Sequence, residues 1–107
     1  MRLLSRKEEM ILLAVWKLQD NAYGVTIREY IEQVSGVKWL FGAIYNPLGR
    51  LVEMGYVESY ESDPLPERGG RRKTMYRLTG EGKSALEQIR EMQLAMWTDV
   101  PPLTEEA

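Results

Sequence analysis

Neither cysteine nor histidine occurs in the 107 residues of this chain. Without thiols there is no disulfide framework and no thiolate metal site. Without imidazoles, Ser-His and Cys-His catalysis, histidine-ligated metals and a histidine pH switch all drop out. Long apolar runs are missing too, and none approaches the roughly 20 residues of a membrane span. The apolar run Met10–Trp16 follows Glu8 and Glu9 and precedes no small-residue cleavage site, so it does not read as a signal peptide. A cytoplasmic protein without cofactor or metal is expected. Carboxylate pairs exist, Glu8-Glu9 and Glu105-Glu106. They fall at a helix start and in a tail, where capping and solvation account for them better than acid–base chemistry. Gly80-Glu81-Gly82 lacks the strand, loop and lysine of a phosphate-binding loop. An enzyme is therefore not expected.

What is present suits one domain, because a chain of this length can bury a single core but not two. The formal charge of -2 hides an asymmetry. Residues 1–80 carry 12 basic and 10 acidic side chains (net +2), and residues 81–107 carry 2 and 6 (net -4). Salt screens charges beyond about 8 Å, so local charge decides what a surface binds.

Ser5-Arg6-Lys7-Glu8 reads as a capping box that opens a helix running to about Gln19. That helix is apolar on most sides, which predicts burial by more than one neighbour. Asp20–Gly24 reads as a turn. Thr26-Ile27-Arg28-Glu29 reads as a second capping box, with Val25 stapled on Tyr30, and Gly36 ends this helix. A third helix is predicted from Gly42 to Met54, stopped by Gly55. Ile44, Leu48 and Leu51 form its inner seam, and Asn46, Gly49, Arg50 and Glu53 face away. Pro47 is comfortable only in a first turn, so this helix should start late or kink. Tyr56–Glu61 and Met75–Leu78 read as strands joined by a long loop. Thr79 caps a last helix over Gly80–Trp97, closed by Pro101 and Pro102. The order is mainly α with a small two-stranded β-ribbon, the layout of a winged helix-turn-helix with the loop as the wing. The expected organisation is a DNA-binding domain over residues 1–79, a dimerisation helix over 80–98 and a disordered acidic tail over 99–107.

The wing tip, Arg68-Gly69-Gly70-Arg71-Arg72-Lys73, places four cations around two glycines. Glycines admit close approach and cations neutralise phosphates, so the wing should lie along the backbone or minor groove. A solvated loop paired with Glu58, Glu61, Asp63 and Glu67 is the plainer alternative. On the third helix, Ala43, Tyr45, Asn46 and Arg50 lie on or near the outer face. Asn pairs with adenine, and Arg pairs with guanine or phosphate. Thr26 and Arg28 could seat a phosphate at the second helix's N-terminal amides. In the last helix Ala85, Ile89, Met92 and Met96 form a heptad-spaced seam flanked by Leu86 and Trp97. Such a seam suggests a homodimer, with packing on the chain's own first helix as the alternative. A Met- and Trp-bearing interface at Met96 and Trp97 could also admit a small aromatic effector.

These residues together resemble a known family. Tyr23-Gly24, Gly42-Ala43-Ile44-Tyr45, Leu48-Gly49-Arg50-Leu51, Gly55-Tyr56-Val57 and the Gly69-Gly70-Arg71-Arg72-Lys73 wing before Tyr76-Arg77-Leu78-Thr79 are similar to the PadR-like transcriptional regulators. The resemblance spans roughly residues 5 to 97. It implies a winged-helix homodimer that represses transcription from a near-palindromic operator and dimerises through its C-terminal helix. It also implies DNA contacts at Tyr23, Tyr45, Asn46, Arg50 and Arg68–Lys73, and a drug-binding tryptophan for which Trp97 is the candidate. A winged-helix module that binds protein without specific DNA binding is the alternative.

Overall fold

The first helix, α1 (Arg6–Leu18), begins where its residues demand. The Glu8 amide donates to Ser5 Oγ at 3.1 Å, and the Ser5 amide donates to Glu8 Oε1 at 2.8 Å. This reciprocal pair meets two of the donors that a helix start leaves open. The computed structural model describes residues 3–63 and 72–104. A short 3₁₀ turn (Gln19–Asn21) ends α1, and Gln19 takes a positive φ of 52° there.

Helix α2 (Gly24–Ser35) starts earlier than the sequence suggests. Tyr23, not Thr26, is its N-cap, and Thr26 is the third helical residue. There its Oγ1 accepts the Tyr23 amide at 3.0 Å. The staple positions are therefore Ala22 and Ile27, both fully buried, and Val25 is left exposed. The tertiary reason is that Ala22 and Tyr23 are held extended against the ribbon: the Tyr76 amide donates to the Ala22 carbonyl at 2.9 Å. Gly36, at φ 75°, ends α2.

Helix α3 (Phe41–Glu53) runs unbroken through Pro47. The proline removes one amide donor from the helix ladder. Its ring is buried beside Leu48, so apolar burial offsets the missing bond. The helix neither starts late nor stops at the proline. Gly55, at φ 81°, turns the chain, and the Tyr56 amide closes the end on the Leu51 carbonyl at 3.0 Å.

Strands β1 (Val57–Glu61) and β2 (Thr74–Leu78) pair antiparallel. Val57 opposes Leu78, and this buried pair seals the core. Glu58 opposes Arg77 and bonds it across the ribbon, with the Arg77 guanidinium over the Tyr60 ring. Thr79 then caps α4 (Gly80–Trp97), accepting the Gly82 amide at 3.0 Å while its hydroxyl donates to the Gly55 carbonyl at 2.6 Å. The capping residue thus also welds α4 to the end of α3.

The core joins Ile11, Leu12, Ala14 and Val15 of α1 to Ile27 and Ile31 of α2 and to Ile44, Leu48 and Leu51 of α3. α1 is the shared centre, packed by α2, α3, β2 and α4, which is why it is apolar on most sides. The last helix divides. Ala85 and Ile89 are 7% and 6% exposed, buried within this chain. Ala85 joins the chain's own core, the alternative reading of the seam, and Ile89 lines a groove with Leu13 and Trp16 of α1. Leu86 packs against the core half-buried, whereas Leu94, Met96 and Trp97 stand in solvent. The chain extends 62 × 29 × 21 Å with a radius of gyration of 16.4 Å. A compact chain of this length has about 13 Å.

Candidate nucleic-acid interface

Three elements converge on one side of the molecule. The first is the outer face of α3. Helical spacing puts Gly42, Tyr45, Asn46 and Gly49 opposite the seam of Ile44, Leu48 and Leu51. A β-carbon added at Gly42 or Gly49 would meet nothing within 4 Å. The face is open, with Asn46 exposed between the two glycines. Ala43 sits half-buried at its edge.

The second is the start of α2. Gly24 lies directly under the Tyr45 ring, and a β-carbon there would fall 2.0 Å from Tyr45 Oη. Any side chain at this point would have to displace Tyr45. Tyr45 also stacks on Phe41, with ring centroids 6.1 Å apart, and the Arg28 guanidinium lies 4.1 Å from the Phe41 centroid. Arg28, Phe41, Tyr45 and Gly24 thereby fix the angle between α2 and α3. The role expected of Thr26 shifts accordingly, because its hydroxyl is taken up by the Tyr23 amide and donates to the Asn21 carbonyl at 2.6 Å. The first-turn amides of α2 have no acceptor within the helix.

The third is the root of the wing. Lys73 Nζ sits 4.1 Å from the Tyr23 ring centroid. Tyr23, Gly24, Tyr45, Lys73, Thr74 and Tyr76 line a concave basin of about 400 Å³, and no carboxylate is among its walls. Burial, and then the neighbouring Tyr45, raise the Tyr76 phenol above its ordinary value, so it stays a neutral donor. Arg72 lies exposed, 3.7 Å from Glu61. Arg68, Gly69, Gly70 and Arg71 fall outside the described residues.

Arg50 is placed otherwise than the outward reading of α3 implies. Its Nε donates to Glu8 Oε2 at 3.0 Å, tying the far end of α3 to the first turn of α1. Glu8 is only 8% exposed and is the one buried charged residue among those described. Burial raises its pKa, but the Ser5 amide, Arg50 and the Ser5 hydroxyl outweigh this and hold it below the ordinary value. Sequence reasoning assigned Glu8 the cap alone. Phe41 was missed as well, although its spacing of four from Tyr45 is a readable helical aromatic pair.

Two apolar grooves flank α4. One, of about 430 Å³, runs between Leu13 and Trp16 of α1 and Leu86 and Ile89 of α4, with Lys83 5.0 Å from the Trp16 ring centroid. The other, of about 580 Å³, is lined by Leu4, Met92, Met96, Trp97, Val100 and Leu103, among others. Among the described residues, no cluster of carboxylates could hold a metal, and no helix is long and apolar enough to cross a membrane.

The family model of the transcriptional regulator PadR-like family matches residues 12–88. A PadR family transcription regulator from hypervirulent Clostridium difficile R20291 is 27% identical, with a TM-score of 0.74; the match covers 86% of this chain and 91% of that one. RosR of H. salinarum is 28% identical over 94% of this chain and 83% of its own, with a TM-score of 0.73. A transcriptional regulator from Clostridium thermocellum is 25% identical over 83% of each chain, with a TM-score of 0.67. No curated protein matches the chain. The match spans the helix-turn-helix, the ribbon and the buried half of α4, and the chain belongs to the PadR-like family of transcriptional regulators, DNA-binding proteins rather than enzymes.

Proposed function

We propose that this protein is a dimeric repressor that binds a near-palindromic operator, with α3 in the major groove and the wing, residues 62–74, on the backbone or minor groove. The observation that carries this reading is the open face of α3 beside the basin of Tyr23, Tyr45 and Lys73. Gly42 and Gly49 offer no side chain to hold a duplex away, and Asn46 between them has the donor and acceptor that match adenine. The free amides at the start of α2, together with Lys73, suit a phosphate at the rim.

In this reading residues 1–79 bind DNA, residues 80–98 dimerise and residues 99–107 are a tail. Dimerisation is supported by the exposed Leu94, Met96 and Trp97 at the end of α4 and by Leu13 and Trp16 on α1. An apolar patch of that kind on a soluble domain marks an interaction surface. Small aromatic molecules suit the groove at Met96 and Trp97, whose walls are mainly thioether, indole and aliphatic, with Arg6, Glu9 and Gln93 among them.

The test is a mobility-shift titration with the DNA upstream of the protein's own gene, at two salt concentrations, with scrambled competitor. Neutralising six to ten phosphates costs about 10³–10⁵ in affinity between 50 and 200 mM salt. A specific shift with steep salt dependence is expected. A folded protein that shifts nothing at low salt overturns the DNA reading in favour of a protein-binding module.

A further inference from the structure

We infer that Glu8 is a positioning residue for DNA binding, holding Arg50 by one edge so that the other edge meets a backbone phosphate at the wall of the groove α3 enters. The inference rests on the proposed seating of α3.

Glu8 does more than its capping role requires. A capping box needs one oxygen, and Oε1 supplies it to the Ser5 amide. Burying the carboxylate costs desolvation, which the Ser5 bonds and Arg50 together outweigh. The second oxygen, Oε2, reaches 42 residues along the chain to Arg50 Nε. That contact uses only one of the five guanidinium N–H donors. The Arg50 side chain is 52% exposed, and among the described residues its Nη groups make no hydrogen bond or ion pair. A planar fork pinned at Nε presents its Nη edge in a fixed direction, the form in which arginine recognises phosphate oxygens.

Position selects phosphate over base. Arg50 lies one step of about 100° from Gly49, at the flank of the outward face and on the side of α1. Side chains at the centre of that face point to the groove floor, and one at the flank points to its wall. The first turn of α1 is braced on both sides of Glu8. Lys7 Nζ stands 5.6 Å from the Trp39 ring centroid, just before α3, and Glu9 Oε1 accepts Gln93 Nε2 of α4 at 3.0 Å. Glu8 is thus a fixed post rather than a loose counter-charge.

Removing a carboxylate ordinarily strengthens DNA binding, so a positioning role predicts the opposite sign. The experiment is fluorescence anisotropy of the full chain on a labelled duplex of mixed sequence, from about 50 to 200 mM salt, with thermal unfolding alongside. Arg50→Ala is expected to weaken binding about tenfold, as for one lost charged hydrogen bond, and to lower the salt slope by about one. Glu8→Gln keeps an oxygen for the Ser5 amide and is expected to weaken binding severalfold despite losing a negative charge. Glu8→Asp keeps the charge, shortens the reach by one methylene and is expected to do the same. In the Arg50→Ala background neither Glu8 change should weaken binding further, a dependence that a purely structural role would not show. A Glu8→Gln protein that binds as tightly as wild type or tighter overturns the inference, as does an Arg50→Ala protein with an unchanged slope. Wild type without salt-sensitive binding overturns the DNA reading itself.

Discussion

Replacing Gly24 by alanine tests the join between the two helices of the DNA-facing motif. The new β-carbon would stand 2.0 Å from Tyr45 Oη and 2.5 Å from Cζ, whereas ordinary contact begins at 3.4 Å. The shortfall of 1.4 Å (3.4 minus 2.0) exceeds what packed helices give. Tyr45 is half-exposed, so its ring can swing out to solvent instead. That movement forfeits the stack on Phe41, worth about 0.5–1.5 kcal/mol. Replacing glycine returns about 0.4–1 kcal/mol through the unfolded chain, since Gly24 has no positive φ. The net change should lie within about 1 kcal/mol of zero, moving Tm by no more than about 8 °C. DNA affinity should fall by at least about tenfold, because a displaced Tyr45 obstructs the face it now completes, an effect comparable to one lost anchor. The decisive assay is a double-mutant cycle by urea unfolding. With Tyr45→Ala in place the space is open, and Gly24→Ala should stabilise by about 0.4–1 kcal/mol. The glycine gain is common to both backgrounds, so coupling of about 0.5–1.5 kcal/mol, the forfeited stack, is expected. Equal effects of Gly24→Ala in both backgrounds would show that Tyr45 does not rest on Gly24.

Further measurements address the rest of the molecule. A β-carbon at Gly82 would fall 2.0 Å from the Tyr56 carbonyl oxygen, backbone that cannot swing aside, whereas one at Gly80 meets nothing. Gly82→Ala should cost about 1–3 kcal/mol or more by overpacking, with Gly80→Ala near neutral, and comparable denaturation midpoints for the two would contradict the seating of α4 against the Tyr56 carbonyl. Trp97→Asp should halve the mass seen by light scattering with Tm held for the protomer, while Ile89→Asp, which buries a charge, should abolish folding; a folded Ile89→Asp monomer would return that residue to the subunit interface. The Glu8 carboxyl titrates below its ordinary value of 4.5, so the ionised group stabilises the fold above that value and the benefit fades as pH falls through the lowered pKa. The gap in urea midpoint between wild type and Glu8→Gln should be full near pH 7 and shrink as pH falls below 4.5 and through the lowered pKa, and a gap independent of pH would deny the Glu8–Arg50 pair.

Local signals carried the order of elements. Ser5 and Thr79 cap, and Gly36 and Gly55 stop, through bonds that span four residues or fewer, so each is readable where it stands. The bounds of α4 and the inner seam of α3 follow from such signals and from apolar spacing. The family likeness was also legible, since its motifs are short and contiguous. Where a polar pattern could be satisfied at two registers, tertiary contact chose. Thr26 could cap or sit three residues inside a helix, and the Tyr76 amide on the Ala22 carbonyl set Tyr23 as the cap.

The heptad spacing of Ala85, Ile89, Met92 and Met96 was determined by sequence. Which of them meets the chain's own α1 and which meets solvent was not, because periodicity names a face but not its neighbour. Spacing alone likewise put Arg50 on the outer side of α3 and Glu8 in a cap. Only the crossing of α1 and α3 brought the two within 3.0 Å, and only the approach of α2 to α3 gave Gly24 a ring to accommodate. Caps, stops and apolar period are properties of neighbouring residues, so the sequence by itself determined them. The pairing of buried charge and the fit of a ring on a glycine depend on where distant segments cross, and that was decided by the packed core.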